Sequence, residues 1–152
     1  MSANGLYDPN ITGVGHQPRG FDQLMQMYDH FVVIGSKITC TFTTVYNTAF
    51  PAMVCGINLK DSATIYTDPN DYQEGRNVVT RTIRGTSTTS ETSMCTISKT
   101  FSCKKFLGRS HPLSDAQLKG DVGNNPAEQA YFHVWAAPLD GSTDTANIRV
   151  NI

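Results

Sequence analysis

The sequence predicts an all-β sandwich, and three observations carry that reading. Several segments alternate apolar and polar residues with a period of two, the signature of strands with one face in a core and one in water. The polar surface comes mainly from Thr, Ser and Asn: only 16% of residues are charged, against roughly a quarter in an average chain, and Thr favours strands. No strand-like segment is followed by a long helical pattern, so the βαβ rhythm of a parallel sheet is absent. The 152 residues are enough for one domain with its own core, so residues 1–152 are expected to form a single domain.

Residues 1–20 read as loop, punctuated by Asn4-Gly5, Asp8-Pro9-Asn10, Gly13, Gly15, Pro18 and Gly20. Phe21, Leu24, Met25 and Tyr28 then fall at i, i+3, i+4 and i+7, predicting a short helix over 21–28 with one apolar stripe. Asp22 suits its N-terminus, and Asp29-His30 its C-terminus. From Val32 to Phe42 the even positions Val32, Ile34, Ile38, Cys40 and Phe42 are apolar, with Ser36 the exception. Lys37, Thr39 and Thr41 occupy the wet face of this strand.

Tyr46-Asn47-Thr48 supplies a turn. Residues 50–59 form a strand that is apolar on both faces, with Pro51 at its start. Residues 62–75 read as loop with room for one helical turn at 71–73. Val78–Ile83 is a strand, 85–93 a polar turn, and 94–103 a one-sided strand whose apolar row is Cys95, Ile97, Phe101 and Cys103. A long loop spans 104–126. Residues 130–137 are apolar on both faces and include Trp135. The closing row Ala146, Ile148, Val150 and Ile152 faces the core and keeps its alternation to the last residue. With no strand before residue 20, the expectation is a sandwich cut at both ends. Such a sandwich exposes a sheet edge and depends on further strands to fold.

The function classes excluded are several. The formal net charge of -1 rules out nucleic-acid binding driven by overall charge. No apolar run reaches the ~18 residues of a membrane span, and Met1-Ser2-Ala3-Asn4-Gly5 lacks the basic start and apolar h-region of a secretory signal. His16, His30, His111 and His133 stand singly, so the tight His-x-His pair of a cupin-type metalloenzyme is missing. There is no G-x-S-x-G elbow, no phosphate-binding loop and no dinucleotide fingerprint. Asp68, Asp71 and Glu74 lack the spacing of a calcium loop. No enzyme, cofactor or metal is therefore expected. Cys40, Cys55, Cys95 and Cys103 contain no C-x-x-C and are expected as unpaired, buried small hydrophobes, with Cys40 able to face Cys95 or Cys103 across a sheet. His133 is expected in the core or at an interface. Lys37, Arg81, Arg84 and Lys99 lie among Thr and Ser on strand segments and are candidates to rest against nucleic-acid phosphates.

One segment carries a resemblance. Gly15-His16-Gln17-Pro18-Arg19-Gly20-Phe21-Asp22-Gln23, then Tyr28-Asp29-His30, then Ile34-Gly35-Ser36-Lys37-Ile38, resembles a block of the capsid proteins of circovirus-like, circular Rep-encoding single-stranded DNA viruses. Three more stretches are similar to that family and run in its order. They are Ala3-Asn4-Gly5-Leu6-Tyr7-Asp8-Pro9-Asn10, Lys104-Lys105-Phe106-Leu107-Gly108, and Asn125-Pro126-Ala127-Glu128-Gln129-Ala130-Tyr131-Phe132 with Trp135-Ala136 and Pro138-Leu139.

The resemblance implies a viral jelly-roll β-sandwich, here lacking its opening strands and the end of its last one. In family order, 31–44 is expected as the fourth strand, 50–59 as the fifth, 78–84 as the sixth and 92–103 as the seventh. It implies a structural subunit that self-assembles with about sixty copies of itself into a simple icosahedral shell. That shell encloses a circular single-stranded DNA genome, with the virion as its location, the host nucleus as the site of assembly, and an unidentified host receptor. The family's Arg-rich N-terminal arm is absent from these residues. Closed rotational packing favours small uncharged tips, which makes Tyr46, Asn47 and Thr48 the candidate turn at a symmetry axis. The competing expectation is a jelly-roll carbohydrate-binding module using Tyr66, Tyr72 or Trp135 as exposed sugar platforms.

Overall fold

A computed structural model of the chain describes residues 1–13, 17–44, 51–85, 92–141 and 148–152. The architecture is all-β: six strands in two three-stranded antiparallel sheets, with short helical turns between them. The strands are β1 (Gly35–Thr44), β2 (Met53–Lys60), β3 (Val78–Ile83), β4 (Met94–Ser102), β5 (Tyr131–Pro138) and β6 (Ile148–Asn151). The helices are α1 (Phe21–Met25), α2 (Pro69–Gln73) and α3 (Cys103–Phe106). One sheet has the order β4-β1-β6 and the other β3-β2-β5.

The alternation in β1 does what its sequence dictates. Ile38, Cys40, Phe42 and Thr44 are buried, whereas Lys37 and Thr39 are exposed. Thr39 pairs its hydroxyl with Ser98 at 2.8 Å and Thr41 with Thr96 at 3.1 Å, so partner numbers fall along β4 as they rise along β1. That register sets Cys40 opposite Ile97 and Phe42 opposite Cys95. It closes at Thr44, whose amide donates to Ser93 O at 3.0 Å. Val32 to Ile34 do not join the strand as expected; the chain there makes a lone bridge from Phe31 to Gly120. β2 is buried along seven of its eight residues, as a run apolar on both faces requires. It is the central strand of its sheet, paired with β3 in the register Met53↔Ile83, Cys55↔Arg81 and Ile57↔Val79.

Two expectations are corrected. The helix is one turn, Phe21–Met25, and of its stripe only Phe21 is buried. Gly20 enters it at φ 82°, a left-handed conformation in which glycine avoids the Cβ penalty. The closing row is not a core row either: Val150 is 38% and Ile152 66% exposed. Among the described residues β6 is an edge strand paired with β1 alone, through Thr41↔Asn151 to Thr44↔Ile148. None of the six strands contains an Asp or Glu.

The chain divides into two compact units. The first comprises Met1–Lys37, Leu59–Thr64 and Thr100–Phe132. Its core holds Phe21, Phe101, Cys103, Leu118, Ala130 and Phe132. Phe31 meets Phe21 edge-on at 5.6 Å and exchanges backbone bonds with Gly120 at 2.9 and 3.0 Å. Buried Asn4 ties the N-terminal segment down, accepting from Ala130 N at 2.9 Å and donating to Glu128 O at 2.9 Å. Backbone bonds of Met1 and Ala3 to Phe132 and Ala130 lay Met1–Ala3 along the start of β5, with a bridge at Ser2↔Tyr131. The long loop folds into α3 and two 3-10 turns and is clasped by Arg109, which pairs with Glu128 and, at 3.4 Å, with Asp115.

The second unit comprises Ile38–Asn58, Ile65–Lys99 and His133–Ile152. Its buried side chains include Ile38, Phe42, Val54, Ile57, Ile83 and Ile97. Cys55 of β2 and Cys95 of β4 both belong to this unit.

Candidate functional site

The four cations singled out from the sequence are divided between the two units. Lys37 belongs to the first unit and the other three to the second. Lys37 is exposed on the hydroxyl-bearing row of β1. Lys99 shares its parity with Cys95, Ile97 and Phe101, the inward row of β4, and is half-buried. Burial there lowers its ammonium pKa from the ordinary value, because desolvation penalises the charged form. Arg81 is exposed but lies opposite Cys55 in the ladder, near enough to Cys95 to favour that thiolate. Arg84 is exposed just beyond β3. The candidate axis turn, Tyr46, Asn47 and Thr48, lies outside the described residues.

The outward row of the β4-β1 ladder in the second unit is a hydroxyl surface: Thr39, Thr41 and Thr43 on one strand, Thr96 and Ser98 on the other. Cross-strand hydroxyl pairs fix these side chains. β6 adds Arg149 and Asn151 opposite Thr43 and Thr41.

The aromatics proposed as sugar platforms are committed to each other. Tyr72 is buried and stacks on Trp135 with ring centres 5.4 Å apart and 18° between planes. Trp135 Nε1 donates to Asn58 Oδ1 at 2.7 Å, and Asn58 Nδ2 donates to Tyr72 O at 2.7 Å. Tyr66 meets Tyr72 edge-on at 5.0 Å, its amide donating to the Tyr72 hydroxyl at 2.8 Å. Burial of Tyr72 corrects its expectation as an exposed ring: α2 is anchored by it. His133 is buried in β5 beside Tyr72, the core placement expected. Asp68 is spent as the cap of α2, accepting from Asn70 N at 2.8 Å. A cleft of about 590 Å³ lies between α2 and the end of β5, lined by Val54, Asp68, Asn70, Gln73, Ala137 and Leu139 among others.

His30 was expected at the end of a helix. The helix stops at Met25, and His30 instead lies near Asp121. Asp121 accepts from Gly123 N at 2.7 Å, and that bond, ahead of Asn124 and His30, holds its carboxyl below the usual range.

The feature that periodicity alone misread is the stripe after Gly20. Leu24 is 52%, Met27 69% and Tyr28 61% exposed. Three large apolar side chains within five residues are thus turned to solvent, with Ile34 exposed a few residues on. No family model matches the chain, and neither a curated protein nor a solved structure does. Among the described residues no helix is long and apolar enough to cross a membrane.

Proposed function

We propose that the chain is a capsid subunit: a jelly-roll building block that assembles with copies of itself into an icosahedral shell around a circular single-stranded DNA genome. Location in the virion and assembly in the host nucleus follow as part of the same reading. The observation that carries it is the exposed apolar segment Leu24, Met27 and Tyr28. It falls inside the stretch whose sequence resembles the capsid family, and a subunit needs apolar surface left over for its neighbours.

The strand order supports the roll. In an eight-stranded jelly roll, strands pair first with last and so inward, and rolling up gives sheets of order 6-3-8-1 and 5-4-7-2. The orders β4-β1-β6 and β3-β2-β5 are those of strands three to eight. On this count β1 is the third strand, one fewer than the family numbering expected. The backbone of Met1–Ala3 runs along the edge of β5, where the second strand of such a roll stands. Contact with DNA falls to the cations and hydroxyls of the strands, which carry no carboxylate to repel phosphate. Of the rings named for the carbohydrate-binding alternative, Tyr72 is buried and stacked on Trp135, whereas Tyr66 is exposed.

Negative-stain imaging of the purified protein tests the proposal. Closed shells of uniform diameter support it. A monomer that is retained on a polysaccharide column favours the alternative.

A further inference from the structure

The cleft between α2 and the end of β5 lies wholly within the second unit and has two unlike walls. On one side stand Asp68 and, three residues apart on one face of α2, Asn70 and Gln73. On the other stand Val54 of β2, Ala137 of β5 and Leu139 just beyond it. Both walls are held. The stacking of Tyr72 on Trp135 and the Asn58 bond to Tyr72 O fix α2, and Leu139 N donates to Ala52 O at 2.8 Å. The space of about 590 Å³ between them falls within the roughly 300–1,000 Å³ of small-ligand sites. Asp68 is the one ionisable side chain of the lining, which among the described residues contains no Lys, Arg or His. One Asp68 oxygen accepts from Asn70 N at 2.8 Å. Among the described residues its other oxygen has no partner, and neither do the side-chain amides of Asn70 and Gln73. The facing wall is hydrocarbon from floor to rim: Val54 and Ala137 are buried, and Leu139 is exposed.

We propose that this cleft binds an aliphatic cation: a methylene chain that ends in a guanidinium or an ammonium group. The head donates to the Asp68 carboxylate and to the carbonyl oxygens of Asn70 and Gln73, which together offer acceptors and one negative charge. The stem lies along Leu139, Ala137 and Val54, as the stems of Lys and Arg lie on apolar surface. An anion would meet a carboxylate with no counter-charge beside it. A neutral ligand would leave the one charge of the lining unused. The same chemistry comes from two sources, a free small amine or the basic side chain of a peptide. Asp68 is exposed, so the ion pair is weak and sensitive to salt. The inference rests on the cleft alone and does not depend on the capsid reading.

Saturation-transfer NMR on the purified protein, whether monomeric or assembled, tests it with ligands of one shape and different charge: n-butylguanidinium, its neutral counterpart n-butylurea, and pentanoate. The expected result is transfer to the methylenes of butylguanidinium that weakens with added salt, binding of butylurea about three- to fivefold weaker, and no transfer to pentanoate. Asp68→Asn keeps the helix cap, because Asn caps as well as Asp, and should bring butylguanidinium down to the level of butylurea. A blocked Gly-Arg-Gly peptide that binds tighter than butylguanidinium assigns the cleft to a peptide side chain; one that binds equally or more weakly assigns it to a small amine. No transfer to any ligand, equal binding of butylguanidinium and butylurea, transfer to pentanoate, or unchanged binding in Asp68→Asn would each overturn the proposal. The comparison among ligands is made on wild-type protein and holds even where the variant folds poorly.

Discussion

The indole of Trp135 occupies the space that a side chain at position 56 would fill. A Cβ placed on Gly56 would stand 2.5 Å from two of the indole carbons, closer than carbon atoms approach without something moving. The absence of a side chain on β2 is therefore what lets the largest residue of β5 lie flat across the sheet and reach Asn58.

Gly56→Ala should displace that ring. Overpacking of this kind costs about 1–3 kcal/mol, to be read as a lower melting temperature together with a red shift in the fluorescence of the single Trp.

Asn58 holds two elements at once through Tyr72 O and Trp135 Nε1. Asn58→Leu leaves a buried carbonyl and an indole N–H without their partner, each worth about 1–3 kcal/mol. Urea unfolding should show the loss. Tyr72→Phe, which removes only the bond from the Tyr66 amide, should cost about 0.5–1.5 kcal/mol.

Burial first, and the neighbouring Cys95 second, push the Cys55 thiol up to about 12. An unfolded chain gives up this proton near pH ~8.5, while the folded chain keeps it. Stability from the neutral thiol is thus fully present below that pH and declines as pH rises toward the folded value, by at most about 1.4 kcal/mol per unit. Melting curves between pH 8 and 11 should fall more steeply for the wild-type protein than for Cys55→Ala.

Met27→Ser/Tyr28→Ser removes two of the exposed apolar side chains. The chain's own melting temperature should hardly change, since exposed positions away from special features usually shift stability by within about 0.5 kcal/mol. Assembly, followed by light scattering, should fall sharply. A variant that assembles like the wild type would remove this segment from the contacts between subunits.

Strands were legible whether one face or both are apolar: β2 and β5 fall within a few residues of the runs 50–59 and 130–137. Val78–Ile83 lies where the sequence placed it, and the buried even positions of β1 follow its alternation from Ile38 onward. The stripe at Leu24 and Tyr28 misled because spacing records which residues share a face, not whether the same chain supplies something to cover it. α3 went unseen because Cys103–Phe106 is one turn and Ser102 makes no side-chain cap. Lys99 interrupts the apolar row of its strand, as its parity in the sequence indicates, and is half-buried there; that Arg81 lies opposite Cys55 emerges only from the strand pairing.

The strands without carboxylates have a consequence for acid. When the surroundings drop through the range where Asp and Glu take up protons, nothing along the ladders of either sheet changes charge by that route. The change falls on the connecting segments, where Asp121 grips Gly123 and Asp115 and Glu128 grip Arg109. Holding its carboxyl below the usual range, Asp121 contributes stability that is present above that range and is lost as pH falls through its lowered value. Strong acid should therefore slacken the loop at Asp121 while the sheets stand, so that protease cuts appear around residues 121–124 and the β signal in circular dichroism persists.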